Sequence, residues 1–217
     1  MKNDLKELFL KSLQANKEYS EAHLQLALIY EEEKDFKNVE KHFGLAISYY
    51  EKEIDLIQKR GDFLLKNSQF QNAKIEFSRV QNKRNLCSQV LFHQAQYYLR
   101  KNKIEDAEDS FKKSIQMNDL NYRVHRDLAK ILLNKGHFDK ARYHLEKSVS
   151  LNYGDFKSHY YLAVIMLKMK DHDEAEQHFL CSLDILIGSD KSRALALYDK
   201  IKMDYPKLFY PDLEEKL

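Results

Sequence analysis

The chain of 217 residues has no tryptophan, 2 prolines and 5 glycines. That is too little turn-forming material for a fold of tight reversals, so helices joined by short connections are expected. It has 2 cysteines, Cys87 and Cys181, far apart and without CxxC or paired-histidine spacing. This favours two buried structural thiols over a disulfide, and with them a cytoplasmic protein. No apolar run approaches the roughly 20 residues of a membrane span. The opening MKNDLKELFLKSL breaks its apolar residues with charge every two or three positions, unlike a secretory leader. Neither sign of charge dominates: 36 basic and 34 acidic residues leave a net +2, weak for a general nucleic-acid binder. GxGxxG, GxxxxGK[ST], HExxH and GxSxG are all missing, so neither an enzyme nor a cofactor is expected.

What the chain does have is self-similarity at a step of 34 residues. One column reads Leu5, Val39, Ala73, Ala107, Ala141, Ala175, and a second Phe9, Phe43, Phe77, Phe111, Leu145, Phe179. A third reads Phe36, Phe70, Ile104, Phe138, His172, and a fourth, of small residues, Ala27, Gly61, Ala95, Ala129, Ala163. Within 122–155, Val124, Leu128, Ala129 and Leu132 share one helical face, Gly136 permits a reversal, and Phe138, Ala141, Leu145 and Val149 share the next. Each unit is therefore a helix hairpin, with small residues where two backbones approach. "NKEYS", "MNDLN", "LNYGD" and "LIGSD" read as turns between units.

These columns resemble the tetratricopeptide repeat, a helix–turn–helix unit of the same length. "YYLRKNKIEDAEDSFKKSIQMND" is similar to its core, with Tyr98, Ala107 and Phe111 in the matching places. The resemblance implies an all-α, right-handed α-solenoid of stacked antiparallel hairpins in one domain spanning 1–217. Its parts would be a half-repeat helix at 1–19, repeats at 20–53, 54–87, 88–121, 122–155 and 156–189, and a closing helix and tail at 190–217. Leu5, Phe9 and Leu13 of the first helix would cover the hairpin at 20–53, and the closing helix would end before Pro206. The family's tryptophan is replaced by His23, Ile57, Leu91, His125 and His159, and its unit-ending proline is missing. "AISYYEKEIDLIQKRGDF" has no helix breaker before Gly61, which leaves open one longer helix through the 53/54 boundary.

Histidine and acidic clusters have plain explanations. His137 with His144, and His172 with His178, lie about two helical turns apart, awkward for one metal ion, and read as helix-edge residues. Asp171, Asp173, Glu174 and Glu176 open a helix, where its dipole favours negative charge, so no metal is expected.

In the resembled family the first helix of each unit lines a concave surface that takes a peptide or helix of a partner protein. Carried over, the candidates are Phe92, His93, Gln96 and Arg100, then Arg123, Arg126 and Lys130, then Lys157, Tyr160, Tyr161, Val164 and Lys168. Arg126 and Lys130 lie opposite Leu128 and Leu132 and are expected to matter little for folding, while Tyr and Arg suit binding hot spots. The charge suggests an acidic and hydrophobic partner. None of the three-unit windows carries the Lys, Asn and Arg set with which some members grip chaperone tails. Self-assembly through terminal repeats, giving a homo-oligomer, is the alternative; nucleic-acid binding by the basic stripe is a weaker one, and no membrane partner is expected. Charge is also uneven along the chain: 20–53 carries 4 basic and 8 acidic residues, 54–87 carries 7 and 3, and 122–155 carries 7 and 4.

Overall fold

The computed structural model describes residues 2–67 and 69–205. Among these residues it is all helical: α1 (Lys2–Ala15), α2 (Ser20–Glu32), α3 (Phe36–Lys66), α4 (Phe70–Arg100), α5 (Ile104–Met117), α6 (Tyr122–Asn134), α7 (Phe138–Leu151), α8 (Phe156–Lys168), α9 (His172–Ile187) and α10 (Lys191–Asp204). The tail from Pro206 onward lies outside the described residues. The chain divides into two compact units, Met1–Asp119 and Leu120–Leu217.

The repeat phase reappears in the backbone. Lys34, Asn102, Gly136 and Lys170 have φ of 63°, 56°, 78° and 66°, each one repeat step or two from the next. Only Gly136 adopts this left-handed conformation without steric cost; the other three are held in it by the turn. Each turn is closed by a backbone N–H donating to the carbonyl five residues earlier: Asp35 to Tyr30, Gln69 to Leu64, Lys103 to Tyr98, His137 to Leu132 and Asp171 to Met166, at 2.9–3.0 Å. All five hairpins expected from the sequence therefore make their internal turn.

The junctions between hairpins differ. Asn118 and Asn152 end α5 and α7 in extended conformation, and the Asn121 and Asp155 side chains then accept the Arg123 and Ser158 N–H groups to cap α6 and α8. At the equivalent junctions 53/54 and 87/88 no turn forms. α3 and α4 run straight through, each 31 residues or about 46 Å long, so 54–87 is not bounded by turns as the repeat boundaries predict. The terminating asparagine (Asn16, Asn118, Asn152) is replaced there by Tyr50 and Arg84, and the capping position by Glu53 and Cys87. Neither Tyr nor Arg supplies the short side-chain amide that competes with helical backbone bonds, so nothing stops the helix.

As a result the hairpin at 54–87 projects from its neighbours, and α3 before Glu53 packs directly on α4 after Cys87. The core of the first unit combines Leu24, Ala27, Val39, Phe43, Ala46, Tyr50 and Ile54 with Val80, Cys87, Val90, Leu91 and Tyr97. No buried residue between Ile54 and Val80 joins it. Phe43 meets Tyr97 with ring centres 6.2 Å apart, and Lys83 pairs with Glu53 across the seam. Within the projection, α3 and α4 stay close because Gly61 is buried against Phe77: a Cβ at Gly61 would fall 2.7 Å from the Phe77 ring.

In the second unit α8 and α9 bury Ala163, Phe179 and Leu183 together with Tyr198 and Ile201 of α10, so α10 closes this end. At the other end α1 packs on α2 with Phe9 and Leu13 half-buried, but Leu5 is 46% exposed, correcting its expected role as a covering residue. Cys87 is buried and Cys181 half-buried, and both are free thiols.

Candidate interaction faces

The twelve candidate residues divide between the two units, and each set is described by itself. In the first unit Phe92 is half-buried, its ring 6.1 Å from that of the fully buried Phe111, so much of it belongs to the core. His93 is half-buried beside Phe92, and burial holds its pKa below the usual imidazole value. Gln96 is half-buried as well. Arg100 is exposed but held, its Nε donating to Glu31 at 2.8 Å. With Phe36, Tyr97 and Lys101 it lines a cleft of about 420 Å³.

The second unit corrects the sequence reading of Arg126. Its guanidinium is not a free surface charge: Nη1 donates to both carboxylate oxygens of Asp155 at 3.0 and 3.2 Å, and Nε to Asp127 at 2.9 Å. Asp155 accepts in turn from the Ser158 N–H at 3.2 Å and its hydroxyl at 2.6 Å. Arg126 thus ties α6 to the N-terminal cap of α8. Tyr160 also has a structural reason for its place: its ring lies 5.8 Å from Phe179, and Lys200 of α10 sits 5.4 Å above its centre. Val164 packs against the same α8–α10 core.

A smaller set remains open to a ligand. Lys130 of α6 places its ammonium 5.9 Å from the centre of the half-buried Tyr161 ring on α8, which meets Tyr160 edge-on at 5.5 Å. Arg123, Lys157 and Lys168 are exposed. None of Arg123, Lys130, Lys157 and Lys168 forms an ion pair among the described residues. Lys168 also borders a cleft of about 480 Å³ with His137, Phe138, Asp139 and Met169. Together these residues form a cationic, partly aromatic face that an acidic side chain could enter without breaking an ion pair, although Arg123 Nε donates to the Tyr122 hydroxyl at 3.2 Å.

Sequence reasoning missed a second feature. His23 and His42, His125 and His144, and His159 and His178 approach Nδ1 to Nδ1 at 2.9, 3.0 and 3.2 Å, each pair joining the two helices of one hairpin. The first member of each pair occupies the position of the family's tryptophan. His23 and His159 use Nε2 to donate to the carbonyls of Lys17 and Tyr153, at 3.0 and 3.1 Å. In the neutral rings Nδ1 of each is then the acceptor, and His42 and His178 donate. Burial pushes His23, His42, His144, His159 and His178 below the usual imidazole pKa, His42 and His144 to about 4, and at His42, His144 and His178 the partner imidazole adds to the effect. The signal lay in the sequence as a constant separation of 19 residues, visible only when the two helices of a hairpin are read together. Among the described residues no group of three or more His, Cys, Asp or Glu could hold a metal ion.

A tetratricopeptide-repeat profile matches residues 92–151 and 126–189. No curated protein matches the chain. Among solved structures it is similar to MamA, with 15% identity, 83% of this chain and 85% of that one covered, and a TM-score of 0.50. It is also similar to YrrB, a tetratricopeptide-repeat protein with an unusual peptide-binding site, at 15% identity, 89% and 99% coverage and a TM-score of 0.48. A third is the Yersinia enterocolitica type III secretion translocator chaperone SycD, at 17% identity, 54% and 92% coverage and a TM-score of 0.47. At such identities the likeness to MamA speaks for the fold alone. With all-helical hairpins in a phase of 34 residues and the profile match inside them, residues 92–189 are tetratricopeptide repeats.

Proposed function

We propose that this protein is a non-catalytic interaction scaffold that holds a peptide or helix of a partner protein on the exposed face of α6 and α8, and that the partner presents acidic and apolar side chains. The observation that carries this reading is Lys130 poised over Tyr161, with Arg123, Lys157 and Lys168 exposed on the same two helices. A cation beside a half-covered aromatic ring suits a carboxylate next to an aliphatic or aromatic group. Membership of the repeat family supports binding over chemistry, and a cytoplasmic setting fits free thiols. No helix among the described residues is long and apolar enough to cross a membrane.

The test is a titration of the captured partner against the wild type and the double variant Lys130→Glu, Tyr161→Ala, at low and high salt. Affinity should fall about tenfold or more in the variant, as expected of hot-spot positions, with an unchanged melting curve. Wild-type binding should weaken with salt, because screening acts over about 8 Å at physiological ionic strength. Equal affinity of the two proteins would move the site off this face.

A further inference from the structure

The projecting hairpin leaves apolar side chains bare. Leu56 and Phe63 of α3 are 57% and 64% exposed, and Ile75 of α4 is 58% exposed. Leu56 and Phe63 are seven residues apart, two helical turns, and so form one stripe. Lys59 and Lys66 repeat the same seven-residue step along one flank, and Arg60, 66% exposed and 3.6 Å from Glu76 of α4, lies on the other. Lys59 is paired only within its own helix, with Asp55 at 2.7 Å. A stacked repeat would cover this stripe with a neighbouring hairpin. Here α2 meets α3 at His42, Tyr49 and Tyr50, and α5 meets α4 at Ser88, Phe92 and Gln94, while Leu56 and Phe63 stay more than half exposed.

Charge decides what fits the stripe. The segment 54–87 carries 7 basic and 3 acidic residues, so a second copy of the same hairpin would bring like charges together. An acidic amphipathic helix would instead set its aliphatic residues on Leu56 and Phe63 and its carboxylates beside Lys59, Arg60 and Lys66. We infer that the projecting hairpin of α3 and α4 is a second docking surface, separate from the α6–α8 face, for an acidic amphipathic helix of a partner protein.

The experiment titrates the full chain with two synthetic amphipathic peptides that share leucines at heptad spacing, one flanked by glutamates and the other by lysines. The glutamate peptide should bind, the lysine peptide should bind at least about tenfold more weakly, and Leu56→Glu with Phe63→Glu should abolish the difference. Both substituted side chains are exposed, and a circular dichroism melt checks that the variant keeps its helices. Lys130→Glu with Tyr161→Ala should leave this binding intact, so failure here and failure of the α6–α8 reading are told apart. Equal binding of both peptides, no binding of the glutamate peptide, or binding indifferent to Leu56→Glu with Phe63→Glu would overturn the inference. So would light scattering showing a dimer that Leu56→Glu with Phe63→Glu dissolves, since the occupant would then be a second copy.

Discussion

Removing the Arg126 guanidinium leaves the Asp155 carboxylate, 9% exposed, without its bidentate partner while it still has to cap α8. Breaking a buried pair from one side costs about 3 kcal/mol or more. Arg126→Ala should therefore lower the unfolding free energy measured in urea by that order, and Arg126→Lys should recover only part, because a single ammonium cannot serve Asp127 and Asp155 together as Nε and Nη1 do. A denaturation curve matching wild type would show the pair to be dispensable. Helical periodicity correctly set Arg126 away from Leu128 and Leu132. It could not show that this side of α6 meets the cap of the next hairpin, because Asp155 lies 29 residues on. Tyr160 has the same history: sequence gives no reason for a tyrosine there, and Phe179 of α9 and Lys200 of α10 supply one. Lys130 and Tyr161, which touch across two helices, were legible only as separate exposed positions on successive repeats.

Between one helix and the next, the histidine pairs act as neutral clasps. Their folded pKa values are depressed by burial, so the unfolded chain binds protons first. Stability is fully present above the unfolded value of about 6.5 and falls as pH drops from there to about 4, where His42 and His144 also titrate. With allowance for partial solvent contact, His42 and His144 should each cost about 2 kcal/mol over that window. Urea midpoints at pH 7 and pH 4.5 measure the loss, and replacing both His125 and His144 by leucine should make the slope shallower. An unchanged slope would place the acid sensitivity elsewhere. The projecting hairpin gives a second expectation. Since α3 before Glu53 already packs on α4 after Cys87, replacing 58–79 by a four-residue turn of sequence "NDLN" keeps Ile54, Val80 and Cys87 and should preserve the first unit's core, with far-ultraviolet ellipticity falling only in proportion to the residues removed. Cooperative unfolding lost altogether would show that the hairpin supports the core. The hairpins themselves were legible from four columns of residues. The two fused junctions were half legible: the missing breaker before Gly61 was visible, but the meaning of Tyr50 and Arg84 in an asparagine column emerges only beside the turns that Asn118 and Asn152 terminate.

Across the whole chain, a net charge of +2 hides a sequence whose 20–53 segment is acidic and whose 54–87 and 122–155 segments are basic. The projecting hairpin is the first of these basic segments and α6 opens the second, so each compact unit carries one of the two proposed binding faces. Near-neutral overall charge limits unspecific attraction to polyanions, while the local excess speeds the approach of acidic partners. The through-running helices also bear on how the protein is made. In the second unit, His125 finds His144 only 19 residues later. In the first, Phe43 must wait for Tyr97, because no buried member of the core lies between Ile54 and Val80. At about 5–20 residues per second, a ribosome needs several seconds to deliver that partner. Throughout that interval α2 and the start of α3 hold half a core open to whatever else is nearby, a longer wait than any hairpin of the second unit imposes on its own histidine pair.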